Sequence, residues 1–232
     1  MKGFKSFARE TKMHMDRHVN VIVGPNGSGK TTLINLLSGM LPINNGVVTI
    51  GENEMFESIK THQISFYGIT RTFQDVRLFE QMTVLDNILV VLTERDVFSS
   101  LFEKHKQYHC KYAQEVLKRV GLWGKRNQLA VNLSYGQRKL LEIARVLAMK
   151  AEIILLDEPF AGLFPEMVKI VSSIVKEMKQ EGKTVILIEH NMDLIRELSD
   201  YVFVMDEGKL LAQGEPHEVL EKREVVEAYL GE

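Results

Sequence analysis

Nine residues, Gly24-Pro25-Asn26-Gly27-Ser28-Gly29-Lys30-Thr31-Thr32, restrict what this chain can fold into more than any other stretch. They fit G-x-x-x-x-G-K-[ST], and the flanks suit that pattern. The run His18-Val19-Asn20-Val21-Ile22-Val23 reads as a strand leading in, and Leu33, Ile34, Leu36 and Leu37 recur at helical spacing leading out. Strand, glycine-rich turn and helix in that order make a cradle for phosphate. The glycines let backbone N–H groups turn inward at a helix N-terminus, where the dipole is positive. Lys30 is then expected to reach the β- and γ-phosphates of a nucleotide, and the Thr31 hydroxyl to hold Mg²⁺. An ordinary strand–turn–helix with surface glycines would need neither the lysine nor the threonine at these offsets.

Length and composition leave room for that reading. The chain has 232 residues, 45% hydrophobic and 26% charged, which suits one large α/β domain or a core with one insertion. Its net charge is −2 and no long Lys/Arg run occurs, so nucleic acid is not expected as a partner. Cys110 is the only cysteine, which excludes an intrachain disulfide and points to a reducing compartment. No apolar run approaches the ~18 residues that span a bilayer. The opening Met1-Lys2-Gly3-Phe4-Lys5 lacks the apolar core of a signal peptide. Work at a membrane would have to go through a partner.

Along the chain the hydrophobic period changes twice. After the first helix, to about Met40, Leu41-Pro42-Ile43-Asn44-Asn45-Gly46 is a turn cluster and Val47–Gly51 a short strand. Residues 52–63 read as loop or weak helix, and Ile64–Phe73 as a strand-like stretch ending at Gln74. From Thr83, a plausible N-cap, Val84, Leu85, Ile88, Leu89 and Leu92 recur at helical spacing. Residues 98–120 continue as charged helix with Tyr108, Tyr112, Val116, Leu117 and Val120 on one face. Residues from about 76 to 150 therefore read as a helical insertion into a core made of 1–75 and 151–232. Strands are expected at Ile153–Leu156, Thr184–Ile188 and Tyr201–Met205, with Lys209–Gln213 hairpinning back across Glu207-Gly208. Helices are expected at Pro165–Gln180, Met192–Leu198 and near the end. Such alternation around a phosphate loop implies a largely parallel sheet with helices on both faces.

Two further stretches carry chemistry. Asp157-Glu158 closes an apolar strand at its carboxyl end, where open α/β sheets bind ligands. Asp157 would hold Mg²⁺ directly or through water, and Glu158 could polarise an attacking water. Leu133-Ser134-Tyr135-Gly136-Gln137 opens the helix carrying Leu140, Leu141, Ile143, Ala144, Val146 and Leu147. Ser134 is an N-cap by type, but a cap alone does not call for Ser-x-Gly-Gln ahead of Arg138-Lys139. Such a helix start can donate N–H and hydroxyl groups to a phosphate held by another subunit.

These motifs together resemble the nucleotide-binding subunit of an ABC transporter over roughly residues 19–232. Gly24–Thr32 stands as the Walker A loop and Arg71-Thr72-Phe73-Gln74 as the glutamine loop. Leu133–Gln137 stands as the signature, Ile153–Glu158 as Walker B and His190 as the switch histidine. The run Arg71-Thr72-Phe73-Gln74-Asp75-Val76-Arg77-Leu78-Phe79, then Met82-Thr83-Val84, is similar to the ATPases of branched-chain amino-acid uptake. Ala161-Gly162-Leu163 and Ala228-Tyr229-Leu230-Gly231-Glu232 agree with that branch. The ATPase of lipopolysaccharide export shares Asp157-Glu158-Pro159-Phe160-Ala161-Gly162 and ranks second, because its glutamine loop is less alike.

The resemblance implies a P-loop NTPase fold and an ATP hydrolase that uses ATP and Mg²⁺. It implies two copies, or this chain with a related one, facing head to tail, each ATP lying between one Walker A and the opposite signature. It also implies integral membrane permease subunits, which would hold the chain at the inner face of the cell membrane. Gly24, Pro25, Asn26, Gly27, Ser28, Gly29, Lys30, Thr31 and Thr32 would bind phosphates, with Ser134, Gly136 and Gln137 reaching the nucleotide in trans. Thr31, Gln74 and Asp157 would surround the metal. Glu158 would be the general base, His190 would steady the γ-phosphate, and Gln74 would touch metal or water and sense the permease.

Some residues depart from the family. Tyr135 stands where a second glycine is usual, and its side chain would crowd the sandwiched nucleotide. Phe164 stands where an aspartate or asparagine is usual. Only Phe4 and Phe7 precede the Walker strand as candidates to stack on adenine, and the opening through Lys30 resembles ATPases of the chromosome-maintenance (SMC) type. That implies a truncated N-terminal β part. A soluble clamp-like ATPase would want tandem domains, a coiled coil or a basic face, none of which the sequence has. A regulatory, non-hydrolysing member would lack residues that are intact here. His14/His18 and His105/His109 with Cys110 have i, i+4 spacing open to a metal, without an evident third ligand set.

Overall fold

The computed structural model describes residues 12–16, 18–51, 54–92 and 103–230. The expectations placed on Phe4, Phe7, Gly231 and Glu232 lie outside the described residues, as does the side chain of His105. The described chain divides into two compact units. One takes in residues up to Arg71, Glu152–Glu158 and Val175 onward; the other takes in Thr72–Ala151 and Pro159–Ile174.

The first unit is built on a six-stranded sheet in the order β4-β5-β6-β1-β7-β8. Its strands are β1 (Val19–Val23), β4 (Ile69–Arg71), β5 (Ile153–Asp157), β6 (Thr184–Ile188), β7 (Tyr201–Asp206) and β8 (Lys209–Gly214). Neighbours pair parallel except at β7–β8, an antiparallel hairpin closed by Glu207-Gly208. The central strands are continuous apolar runs because both faces of a parallel sheet are covered. All five residues of β1 are buried. Ile22, Leu155, Ile186, Ile188, Phe203 and Met205 form one core cluster with Leu33 and Ile34 of α1 (Lys30–Leu37).

Asn20 interrupts the apolar run of β1 and is buried all the same. Its amide donates to the carbonyls of Asp16 and His18, which satisfies it inside the core. Asp200 secures the start of the same strand by accepting from the Val19 N–H at 3.0 Å. A two-stranded sheet of β2 (Val48–Ile50) and β3 (Glu54–Phe56) completes the strands described here.

The second unit is helical. Helix α4 (Tyr135–Ala148) buries Leu140, Leu141, Ile143, Ala144, Val146 and Leu147. It packs with α2 (Val84–Leu92) and α3 (Glu103–Arg119), which bury Val84, Ile88, Ala113, Val116 and Leu117. The Thr83 hydroxyl accepts from the Asp86 N–H at 3.0 Å, as an N-cap does. Helix α5 (Pro165–Gln180) begins in this unit and ends in the first; α6 (Met192–Leu198), α7 (Pro216–Val219) and α8 (Arg223–Leu230) belong to the first.

Three expectations need correction. Residues 52–63 contain strand β3, which folds back on β2 as a short antiparallel hairpin. The stretch Ile64–Phe73 yields only Ile69–Arg71 as strand. Residues 64–67 form a turn, and the Ile69 N–H reaches back to the Ile64 carbonyl at 2.9 Å. Tyr108 and Tyr112 do share a helix face, their rings stacked beside Lys150, with Tyr108 at its exposed end. Residues 12–16 have no helical structure, so His14 and His18 do not share a helix face.

Phe203, fully buried at the centre of the cluster, provides a test of this core. Phe203→Ala is expected to lower unfolding free energy by about 3–5 kcal/mol. Urea denaturation read by tryptophan fluorescence and circular dichroism would show it; a loss under about 1 kcal/mol would contradict the packing described.

Candidate functional site

Strand register brings the chemistry together. Ile22 of β1 faces Ile188 of β6, which faces Asp157 of β5. The loop after β1, the carboxylates ending β5 and the residues after β6 therefore leave the sheet side by side at its carboxyl edge. Gly24 begins the loop at φ +148, and a Cβ there would stand 2.0 Å from the Met205 carbonyl oxygen. No side chain fits, so the loop must hug β7. The Gly208 N–H, at the β7–β8 turn, donates to the Ser28 carbonyl at 2.9 Å and braces it.

Lys30 is the first residue of α1, and its ammonium is turned into the loop. It donates to the carbonyls of Gly24 (2.7 Å) and Pro25 (2.9 Å) and to Ser28 Oγ (3.3 Å). Burial pushes its pKa below the usual lysine value, against the opposing pull of Glu158 and Asp157. Thr31 and Thr32 follow in the first helical turn, Thr31 exposed. Asn26 and Gly27 are exposed on the loop while Ser28 is buried.

Asp157 is buried, its carboxylate 3.5 Å from Arg71 Nη2. The Arg71 guanidinium also donates to Asn35 Oδ1 (2.8 Å) and Ser38 Oγ (2.7 Å) of the α1 segment. One buried cation thus ties the end of β4 to the helix after the loop and to the carboxylate that ends β5. Glu158 adopts φ +48, an uncommon conformation for a residue with a long side chain, and its N–H donates to the Ile188 carbonyl at 3.1 Å. Its carboxylate meets His190 Nε2 at 2.8 Å. Glu189 is buried and accepts from the N–H groups of His190 (3.0 Å) and Asn191 (3.1 Å), fixing the backbone that aims the imidazole.

The first unit alone therefore assembles Lys30, Asp157, Glu158 and His190. Ser134, Gly136, Gln137 and Gln74 belong to the second. Ser134 and Gln137 form a reciprocal capping box: the Gln137 N–H donates to Ser134 Oγ, and Gln137 Oε1 accepts from the Ser134 N–H. Gln137 Oε1 also accepts from Lys125 Nζ at 3.2 Å. The side chain proposed for ligand contact is thus engaged in shaping the helix start. Gly136 lies against Met167, whose sulfur would stand 2.5 Å from any Cβ added there. Gln74 is exposed in the irregular segment after β4.

Tyr135 does not project without support. Its ring lies over Gly162, and Lys139 Nζ sits 5.7 Å from its centroid. Phe164 is 70% exposed. Sequence reasoning passed over Arg71, Glu189 and Glu142 as functional contributors. Arg71 stands in the motif of Gln74, yet its buried partners Asp157, Asn35 and Ser38 are visible only in three dimensions, whereas Glu189 turns onto the N–H groups of the next two residues. Among the described residues no cluster of three His, Cys, Asp or Glu side chains suits a metal ion.

Comparison with known proteins agrees with this architecture. The family model described as ABC transporter matches residues 12–161. The chain is 38% identical over 226 residues to the high-affinity branched-chain amino acid transport ATP-binding protein LivG of Salmonella typhimurium, covering 94% of this chain and 88% of that one. The crystal structure of the ADP conformation of an ABC transporter's ATP-binding cassette superposes with a TM-score of 0.77 at 35% identity, covering 94% and 89% of the two chains. A dimeric post-hydrolysis cassette bound to ADP and Pi gives 0.76 at 25% identity, with 88% of each chain covered.

The Tyr135–Gly162 contact can be tested directly. A Cβ at Gly162 would stand 2.9 Å from Tyr135 Cε1, at φ +73. Gly162→Ala is expected to cost about 2 kcal/mol, from left-handed backbone plus the clash. Adding Tyr135→Ala should recover part of that loss in urea denaturation; strictly additive losses would mean the ring does not demand the glycine.

Proposed function

The chain belongs to the ABC transporter family, and from that premise we propose that it is the ATP-hydrolysing subunit of a branched-chain amino-acid uptake system. The observation that carries the proposal is the convergence, at one sheet edge, of the Lys30 loop, Asp157 and the Glu158–His190 pair. The kinship with LivG, itself named for branched-chain amino-acid transport, supports the solute class.

In this reading the N–H groups of Gly27, Gly29, Lys30 and Thr31, with the Lys30 ammonium, hold the β- and γ-phosphates of ATP. Lys30 leaves the Gly24 and Pro25 carbonyls to do so, exchanging neutral acceptors for charged oxygens. Thr31 and Asp157 offer the hard oxygen donors that suit Mg²⁺. Bound there, Mg²⁺ would supply charge neutralisation between the phosphates. Glu158 orients the attacking water and accepts its proton, while His190, hydrogen-bonded to that carboxylate, keeps it aimed.

A second nucleotide-binding subunit completes the site. The Ser134 hydroxyl and the Gly136 N–H, at the positive end of the 14-residue α4, would face the γ-phosphate across the dimer. A related cassette is itself dimeric with ADP and Pi. No helix among the described residues is long and apolar enough to cross a membrane. The chain would thus sit on the inner face of the cell membrane through separate permease subunits, moving them as the dimer closes on ATP and reopens after hydrolysis.

Steady-state hydrolysis of Mg·ATP by the purified chain tests the core of this. Glu158→Gln is expected to lower kcat by at least ~10²-fold while ATP binding persists. Lys30→Ala should weaken ATP binding by about tenfold or more. Full turnover in Glu158→Gln would remove Glu158 from the role of base. Failure to co-purify with any permease subunit would count against the transport assignment.

A further inference from the structure

We propose that Glu142, in the middle of α4, is the positioning residue that holds Gln74 in working register. The inference rests on the ATPase reading above and assigns a role at that same site. Gln74 sits in an irregular segment between the end of β4 and Thr83, with Asp75 also exposed. Exposed irregular backbone has no intrinsic means of holding a side chain in place. Here the means comes from α4. The Phe73 N–H donates to Glu142 Oε1 at 3.0 Å, and the Arg77 backbone N–H donates to the same carboxylate. The two amides flank Gln74, one directly before it and one three residues after. Arg145, one turn further along α4, donates to the Arg77 carbonyl.

Two side-chain stacks close the clamp. The Arg77 guanidinium lies 4.0 Å above the Phe73 ring, and Arg145 lies 5.1 Å from the Phe79 ring centroid. The loop is thereby pinned on both sides of Gln74 to a single rigid helix. That helix begins with Ser134 and Gly136, so its N-terminal donors and Gln74 are carried by one body.

The choice of residue is informative. Glu142 is buried in a helix otherwise lined by Leu140, Leu141, Ile143 and Ala144. Burial raises its pKa, while the two backbone donors, Arg145 and Lys139 oppose that rise. A buried carboxylate is costly unless its oxygens are used, and these are used on backbone N–H groups of one loop. Glutamine in its place would present an NH₂ group to one of the two donors, so a near-isosteric change should release one side of Gln74.

The test is a double-mutant cycle on the full chain, with Mg·ATP as the probe. Glu142→Gln is expected to lower kcat about tenfold while KM for ATP stays within about twofold, because the phosphate loop is left intact. Gln74→Ala should lower kcat by at least as much, and the double variant should be no worse than Gln74→Ala alone. Hydrogen exchange at the Phe73 and Arg77 amides should quicken in Glu142→Gln while Leu140–Leu147 stays protected. Additive losses in the cycle would overturn the proposal, as would a rise in KM with kcat unchanged.

If Glu142→Gln does not fold, Glu142→Asp keeps the charge and withdraws it by about one C–C bond, ~1.5 Å; the same cycle then applies. Fast exchange of the Phe73 amide in the unaltered chain would also overturn the proposal. An unaltered chain with no turnover, alone or with its permease, sinks the ATPase reading and this inference with it. Additive losses on an active chain sink this inference alone.

Discussion

Parallel pairing of β6 with both β1 and β5 is the constraint on which the rest depends. In a parallel sheet all strands leave by the same edge, so residues distant in sequence arrive there together. The loop after Val23, the carboxylates after Leu156 and the imidazole after Ile188 meet for that reason. A one-residue slip of β5 against β6 would turn Asp157 to the other face of the sheet and dismantle the site. Backbone bonds at both ends of the pair hold that register, the Thr184 N–H on the Glu152 carbonyl and the Glu158 N–H on the Ile188 carbonyl.

Lys30 and Asp157 are buried and Glu158 is partly so, and each charge has an answer within reach. The Lys30 ammonium is satisfied by the loop's own carbonyls, Asp157 by the neighbourhood of Arg71, and Glu158 by His190. Pairs of this kind add little net stability once desolvation is counted, and removing one member is costly. On the function proposed, they serve better as a stored arrangement: a phosphate that displaced the Gly24 and Pro25 carbonyls from Lys30 would meet a cation already in position. The left-handed backbone of Glu158 fits the same pattern, since strain of about 1–3 kcal/mol persists only where surrounding structure enforces it.

In the helical unit the residues that look like departures are accommodated locally. Tyr135 stands where the family resemblance leads one to expect glycine, yet its ring finds a place over Gly162, whose left-handed backbone and close approach to the ring disfavour a side chain. The two residues are best understood as a pair. Gly136 is required by Met167 as much as by any ligand, and Gln137 is occupied by the capping box. Glu142 gives α4 a hold on the segment carrying Gln74. The helix is therefore both a scaffold and a lever.

The sequence alone determined the class of fold and pointed to the residues on which the proposed chemistry rests. Gly24–Thr32 between an apolar run and a helical pattern admits few structures, and Thr184–Ile188 and Pro165–Gln180 were legible to the residue because period and length left no competing reading. It could not determine which backbone groups the fold brings together. Strand β3 forms because the chain folds back on β2 across a short turn, and the stretch from Ile64 is cut to Ile69–Arg71 by a turn of its own. Arg71 on Asp157 and Glu142 beneath Phe73 depend on partners far along the chain. Periodicity reports which face of an element is apolar, whereas a buried ion or hydrogen bond depends on which other element arrives there, and only tertiary structure decides that.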